Sequence, residues 1–253
     1  MSFSFILLGI LIGFISGMFG VGGSIITTPV LKIVFGIPDL IALASPLPVT
    51  IPTAISGVSN YWQKKIIRTK IAFLTIIGGL PATVAGALGT KFVKSSWLMV
   101  LTGVFIVIVG FRLFYNTKLK QPQVQHRIPT SVLAVFIGII TGIFSGLLAI
   151  GGGVIMVPAF VLMLGLSMQE AASTSLLCIA FFAIPGTLVH WKLNHIDWNL
   201  VLNLSIGVIP SSYLGSKVGI LLKSRQLQMI FSIFLILFGL YFIFLCIFKN
   251  SLA

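Results

Sequence analysis

Long apolar runs, separated by short polar or glycine-rich segments, dominate the chain. In the first half such runs cover residues 4–20, 42–61, 71–90 and 97–115, with a shorter apolar piece at 24–35. In the second half the same order returns at residues 132–150, 154–164, 171–189, 200–222 and 227–248. At about 1.5 Å per residue the long runs can cross a bilayer, whereas the two short pieces cannot. The pattern predicts an all-α, multi-pass membrane protein with about four spans and one short or broken helix in each half.

The two halves resemble copies of one sequence. A shift of 129 residues aligns residues 3–115 with 132–244 without a gap and gives 26 identities. Random pairing at this composition would give roughly ten, so the excess indicates an internal duplication. Ten of the fourteen glycines in the first copy fall on glycine, and Pro29 and Pro81 fall on Pro158 and Pro210. Because glycine and proline fix backbone shape and helix approach, we expect the copies to share a fold.

We therefore divide the chain into a first transmembrane repeat (3–115), a polar basic linker (116–130) and a second transmembrane repeat (131–248). Four crossings per half would make the repeats parallel, whereas a fifth crossing by the short piece would invert the second copy. Charge favours inversion, because the strongest basic loop of the first half is 64–70, whereas the second half instead carries Lys217, Lys223 and Arg225. Broken helices at matching positions are also typical of inverted-repeat transporters.

Composition agrees with insertion into a membrane. The chain is 58% hydrophobic and 8% charged, whereas a soluble domain is about 25% charged. The net charge is +13, and the basic residues cluster between apolar runs. They are therefore better explained by anchoring at anionic lipid than by binding of nucleic acid. The first apolar run has no basic region before it and no convincing cleavage site, so we interpret it as a retained membrane segment.

Two glycine-rich segments interrupt apolar runs at matching positions: FGVGGSIITTP at 19–29 and LAIGGGVIMVP at 148–158. Lipid cannot pair the backbone groups freed there, so such segments are buried in protein or line a wet cavity. The helix after each break would direct free N–H groups and the positive end of its dipole at an anion. The alternative is that the glycines only permit close helix packing. The predicted substrate-binding residues at the breaks are Gly22, Gly23, Ser24, Gly151, Gly152 and Gly153.

Hydroxyls in the next matched span form a second candidate group, in which Ser45 aligns with Thr174 and Ser173 precedes Thr174. Such hydroxyls either cap a helix or donate to an oxygen of the ligand. His190, near the end of a span, is a candidate contact for a proton or an anion, with an ordinary interfacial histidine as the alternative. The sequence contains no Ser/His/Asp, metal-binding or paired-acid arrangement that recommends catalysis, so we expect neither an enzyme nor a cofactor or metal.

Two halves that each carry a glycine-rich segment ending in proline resemble the sulfite exporter TauE/SafE family of membrane permeases, over essentially the whole chain. The residues that carry the resemblance are Gly17, Gly20, Gly22, Gly23 and Pro29, then Gly146, Gly151, Gly152, Gly153 and Pro158, and the small or hydroxyl residues at 171–175. Ser24 and Ala149 depart from the glycine pattern. The resemblance implies movement of sulfur-containing oxyanions such as sulfite or organosulfonates, commonly outward across a cytoplasmic membrane.

We therefore expect a secondary transporter, an exporter of small anions, that works by alternating access around the two broken segments. An anion channel lined by the same segments is the alternative, and saturable, countertransport-sensitive flux would favour the carrier. The expected partners are the lipid bilayer, a small anionic substrate, a coupling ion (H⁺ or Na⁺) and a second copy of the chain in a homodimer. The expected location is the plasma membrane, as a multi-pass protein.

Overall fold

The computed structural model describes residues 2–89, 104, 106–115, 129–148 and 151–250, and these residues are helical with short connections and no strand. The expected linker at 116–130 lies outside the described residues as far as 128, as do Ala149 and most of the span expected from 97. The helices are α1 (Ser2–Phe19), α2 (Ser24–Ile33), α3 (Asp39–Ala44), α4 (Pro46–Gln63), α5 (Thr69–Gly89), α6 (Ile106–Tyr115), α7 (Thr130–Leu148), α8 (Gly153–Leu164), α9 (Met168–Lys192), α10 (Trp198–Leu221) and α11 (Ser224–Asn250).

Six helical segments of the described chain are long and apolar enough to span a membrane: Leu40–Gln63, Thr69–Gly89, Thr130–Leu147, Met168–Lys192, Trp198–Leu221 and Ser224–Tyr241. The all-α, multi-pass prediction is therefore confirmed. The short helices α2 and α8 have 10 and 12 residues and extend only about 15 and 18 Å. Helix α9 begins before its apolar run because Ser167 and Glu170 form a capping box, in which each residue accepts the other's backbone N–H.

Two helix pairs pack at close range, α1 with α10 and α5 with α7. A Cβ on Gly9 of α1 would stand 2.5 Å from the Leu204 carbonyl oxygen, so only glycine permits this approach. In the second pair Gly138 of α7 lies against Thr75 of α5 in the same way, and both positions are those of the first pair shifted by 129 residues. The same shift relates the other small residues that line the two pairs: Gly13, Gly17, Gly207 and Gly215 with Gly142, Gly146, Gly78 and Gly86. In lipid, such close backbone packing is a main source of helix association.

Two reciprocal hydrogen bonds set the relative direction of α4 and α9. Ser45, just before α4, accepts the N–H of Asp197 at 3.0 Å, and Thr174, near the start of α9, accepts the N–H of Arg68 at 3.1 Å. Asp197 follows α9 in the chain and Arg68 follows α4, so the start of each helix lies beside the end of the other. Helices α4 and α9 therefore run antiparallel.

The turns that follow α4 and α9 have the same backbone conformation. Lys65 (φ 55°) and Asn194 (φ 56°) are the non-glycine residues with positive φ in the described part of the chain, and they are 129 positions apart. The following residue in each turn donates its N–H five positions back, from Ile66 to Tyr61 and from His195 to His190. The two turns thus correspond position by position.

We call one end of the molecule the basic face and define it by residues 64–70, 168–170 and 222–225. Arg68 Nε donates to the Glu170 carboxylate at 2.8 Å, and Gln169 Nε2 donates to the Leu222 carbonyl at 2.6 Å, so these segments are neighbours. The basic residues of this face are Lys64, Lys65, Arg68, Lys70, Lys223 and Arg225. The basic clusters of the two halves therefore lie on one side, whereas Ser45 and the loop at 193–197 lie at the opposite end.

Candidate anion site at the two glycine breaks

The first break, residues 20–23, connects α1 to α2 through two glycines in the left-handed region. Gly20 has φ 73° and Gly22 has φ 72°, a conformation that strains residues with a Cβ. Gly20 also packs directly on α9, because a Cβ at this position would collide with the Ala172 backbone. Ser175 Oγ donates to the Gly20 carbonyl at 2.8 Å, so the break is fixed on α9.

The second break leads into α8 and touches the first. Gly151 has φ 71° and Gly152 has φ 74°. A Cβ on Gly153, the first residue of α8, would stand 2.5 Å from the Val21 carbonyl oxygen and 2.6 Å from Ile179 Cδ1. The structure therefore brings the two predicted breaks together at Val21 and Gly153, beside the middle of α9.

Backbone donors at the first break have no backbone acceptor. Within the described part of the chain, the amides of Gly22, Gly23 and Ser24 donate to no carbonyl, and the first hydrogen bonds of α2 run back to the Gly23 carbonyl. The first hydrogen bonds of α8 run back to the Gly152 carbonyl in the same manner. The free N–H groups at a helix start, together with the helix dipole, attract an anion. The arrangement therefore has the donors that the sequence predicted.

Three buried serine hydroxyls near the breaks have no hydrogen-bond partner among the described residues: Ser16, Ser24 and Ser145. Each is at most 1% exposed. Ser24 begins α2, whereas Ser16 and Ser145 lie in the last turns of α1 and α7, and the Ser145 Cβ is 3.3 Å from where a Cβ on Gly152 would stand. A buried hydroxyl without a partner costs about 1–3 kcal/mol, so these groups favour a polar ligand at the breaks. Sequence analysis missed Ser16 and Ser145, although their identity across the 129-residue shift was an available signal.

The second group of predicted site residues makes other contacts. The Ser45 and Thr174 hydroxyls accept the loop N–H groups of Asp197 and Arg68, and Ser173 Oγ donates to the Glu170 carbonyl at 3.1 Å. None of these bonds involves a glycine break. The structure thus gives Ser45 and Thr174 a role in joining helix starts to loops, and substrate binding by the three residues stays a prediction.

His190 lies in the last turn of α9, close to the loop at 193–197. Its ring is 2% exposed, and its Nδ1 is 3.4 Å from Nδ1 of His195, so one of the two nitrogens donates a proton to the other. His190 Nε2 has no partner in the described part of the chain. Eleven residues separate His190 from Ile179, or about 16 Å along the helix, so the histidine pair is remote from the breaks. Its contact with a proton or an anion stays a prediction.

A multi-pass helical protein with two helices broken at glycines, and with unpaired donors at the breaks, has the architecture of a membrane transporter. The sequence profile of the family described as "Sulfite exporter TauE/SafE" matches residues 5–242. The chain belongs to this family of membrane transporters, which are not enzymes.

Relatives along the whole chain have corresponding names. The chain is 29% identical to "Probable membrane transporter protein YjnA" of Bacillus subtilis (strain 168), over 95% of this chain and 99% of the relative. It is 27% identical to "Probable membrane transporter protein YunE" of the same organism, over 92% and 94% of the two chains. It is 25% identical to "Probable membrane transporter protein MJ0441" of Methanocaldococcus jannaschii, over 93% of each chain.

Proposed function

We propose that the protein exports small sulfur-containing oxyanions, such as sulfite or organosulfonates, across the cytoplasmic membrane. The observation that carries this proposal is the contact between the two glycine breaks at Val21 and Gly153. This contact brings the N-termini of α2 and α8 into one region, which also contains the unpaired Ser24 hydroxyl. The family description supports sulfite as one member of the substrate class.

We infer that transport proceeds by alternating access between two inverted repeats. The antiparallel arrangement of α4 and α9 supports inversion, because these helices occupy equivalent positions in the two halves. The recurrence of the glycine contacts after 129 residues supports a common fold for the halves. In transporters of this design, one repeat or bundle rocks against the other around a fixed site. Here that site lies at the breaks, where residues from both halves meet.

The basic face is proposed to lie in the cytoplasm. It combines the basic clusters of both halves, and short loops rich in Lys and Arg remain on the cytoplasmic side of a membrane. Export then requires opening of the opposite end, where Ser45 and the loop at 193–197 lie.

Cysteine labelling tests the inversion and the orientation separately. In a variant in which Cys178 and Cys246 are replaced by alanine, a cysteine replaces either Lys65 or Asn194, and intact cells are treated with a membrane-impermeant maleimide. We expect Asn194→Cys to react in intact cells and Lys65→Cys to react only after permeabilisation. Reaction of both from the same side contradicts the inverted repeat, whereas the reverse pattern contradicts only the orientation.

Transport is tested in proteoliposomes with labelled sulfite, methanesulfonate and sulfate, with and without a pH or Na⁺ gradient. Stimulation by one of these gradients identifies the coupling ion. The double variant Ser24→Ala, Ser145→Ala is expected to lower kcat/KM about tenfold or more, because each hydroxyl would donate to a charged ligand. The matched control is Ser232→Ala, a buried serine of α11 whose hydroxyl donates within its own helix, to Gln228 at 2.8 Å. Absence of uptake by the wild type, or wild-type rates in the double variant, would contradict the proposal.

A further inference from the structure

The donors at the breaks are uncharged in the part of the chain that the structure describes. They are the backbone amides of Gly22, Gly23 and Ser24 and the hydroxyls of Ser16, Ser24 and Ser145. The buried polar side chains that the structure describes are hydroxyls and amides, with His190 as the one titratable group among them, and no Lys, Arg, Asp or Glu. His190 lies about 16 Å along α9 from the breaks, as described above. Positive potential at the breaks therefore comes from the ends of α2 and α8.

The size of this potential can be compared with the charge of a ligand. The N-terminus of a helix is equivalent to about +0.5 elementary charge, and two such termini meet here, so their sum is about +1. The unpaired hydroxyls of Ser24 at the α2 start and Ser145 beside Gly152 supply hydrogen bonds without adding charge. One negative charge on the ligand is thereby balanced, whereas a second would be buried without compensation.

From this balance we infer that the site selects monovalent oxyanions over divalent ones. This inference rests on the proposed function and specifies its substrate class: organosulfonates and hydrogen sulfite are accepted, and fully ionised sulfite and sulfate are disfavoured. Transfer of an uncompensated charge out of water costs several kcal/mol, so we expect a divalent anion to bind at least about tenfold more weakly than a monovalent anion of similar size.

The test compares three anions as competitors of labelled methanesulfonate uptake in proteoliposomes with equal pH inside and outside. Methanesulfonate has one charge at any pH near neutrality, sulfate has two, and sulfite changes from one to two as the pH rises through its second ionisation. Inhibition constants are measured one pH unit below and one unit above that ionisation. We expect methanesulfonate to inhibit equally at both values, sulfate to inhibit at least about tenfold more weakly, and sulfite to lose potency at the higher pH in proportion to its hydrogen sulfite fraction.

Two outcomes overturn the inference while the proposed function stands: sulfate competes as strongly as methanesulfonate, or sulfite becomes more potent as the pH rises. Failure of the wild-type protein to take up methanesulfonate, sulfite or sulfate overturns the proposed function and this inference with it. Methanesulfonate measured at both pH values corrects for any effect of pH on the carrier itself.

A variant separates the helix ends from the hydroxyls as the source of charge selectivity. Ser24→Ala removes a hydroxyl and leaves the α2 dipole, so the inhibition constants of methanesulfonate and sulfate should rise together, by about tenfold. Their ratio should stay at the wild-type value, as it should in the control Ser232→Ala. A ratio that falls towards one in Ser24→Ala assigns the selectivity to the hydroxyl and overturns its attribution to the helix ends.

Discussion

The two glycine breaks occupy equivalent positions in the chain but differ in backbone conformation. Gly22 and Gly151 match, with φ values of 72° and 71°. The next residues diverge, because Gly23 has φ −73°, in the right-handed helical region, whereas Gly152 has φ 74°. Helix α2 therefore begins from a right-handed residue and α8 from a left-handed one. A common sequence pattern does not impose a common conformation when the residue is glycine, which adopts both regions.

The surroundings of the breaks explain which glycines are required and for which reason. At Gly23 the obstacle is space, because a Cβ there would collide with Cγ2 of Ile12. At Gly152 the obstacle is the backbone angle, and at Gly153 it is the Val21 carbonyl. Ser24, the counterpart of Gly153, carries a side chain at this position. The difference teaches that one break can accept a hydroxyl while the other must remain bare.

The largest effect is expected from exchanging the residues at this last position. Gly153→Ser should lower the free energy of unfolding by about 3 kcal/mol, because its Cβ overlaps the Val21 carbonyl and forces the breaks apart. Ser24→Gly should cost less than about 1 kcal/mol, since it removes an unpaired hydroxyl without a clash. Thermal unfolding of the purified variants in detergent measures both. Equal losses in the two variants would mean that the breaks do not meet as described.

A second pair of variants separates strain from crowding. Gly152→Ala and Gly23→Ala should each destabilise the protein, the first by about 1–2 kcal/mol because a residue with a Cβ is forced to positive φ. Adding Ile12→Ala should relieve the crowding at Gly23→Ala, so that the double variant is more stable than the sum of the two single losses. No trimmed neighbour should relieve Gly152→Ala. Thermal unfolding of the single and double variants decides, and additive losses at Gly23 and Ile12 would refute the crowding.

Smaller and equal effects are expected where the two halves correspond. Ser45→Ala and Thr174→Val each remove an acceptor from a loop N–H, at Asp197 and Arg68, and should each cost about 1 kcal/mol. The double variant should show the sum, because the two bonds lie at opposite ends of α4 and α9. Unequal losses would mean that the halves differ at their ends as well as at their breaks. The measurement is again thermal unfolding, with Ser232→Ala as the control.

The smallest effect concerns the ion pair on the basic face. Arg68 is 58% exposed and pairs with Glu170, so Arg68→Gln should cost less than about 1 kcal/mol and the loss should disappear at high salt. The second half offers no equivalent pair, because Asp197 stands at the position that corresponds to Arg68. Lys64→Gln, at an exposed position of the same loop, is the control. A loss that persists in high salt would assign Arg68 a packing role.

Much of the architecture can be predicted from the sequence, because apolar run length and glycine spacing are local signals. The order of spans, the breaks before Ser24 and Gly153 and the family are confirmed. The partners of Ser45 and Thr174 could not be predicted, since Asp197 and Arg68 lie 152 and 106 residues away. The opposite angles at Gly23 and Gly152 have no sequence signal at all, because both residues are glycine.

The pairing of α1 with α10 has a consequence for the order in which the chain is assembled during synthesis. Ser211 of α10 contacts Gly9 of α1 from 202 residues further along the chain, whereas Thr75 of α5 and Ala134 of α7 are 59 residues apart. At roughly 5–20 residues per second, the α5–α7 contact is complete within about 3–12 s, but α1 waits about 10–40 s for its partner. Throughout that interval the glycine stripe of α1 has no α10 to pack against. The first helix to enter the membrane is therefore among the last to be locked in place.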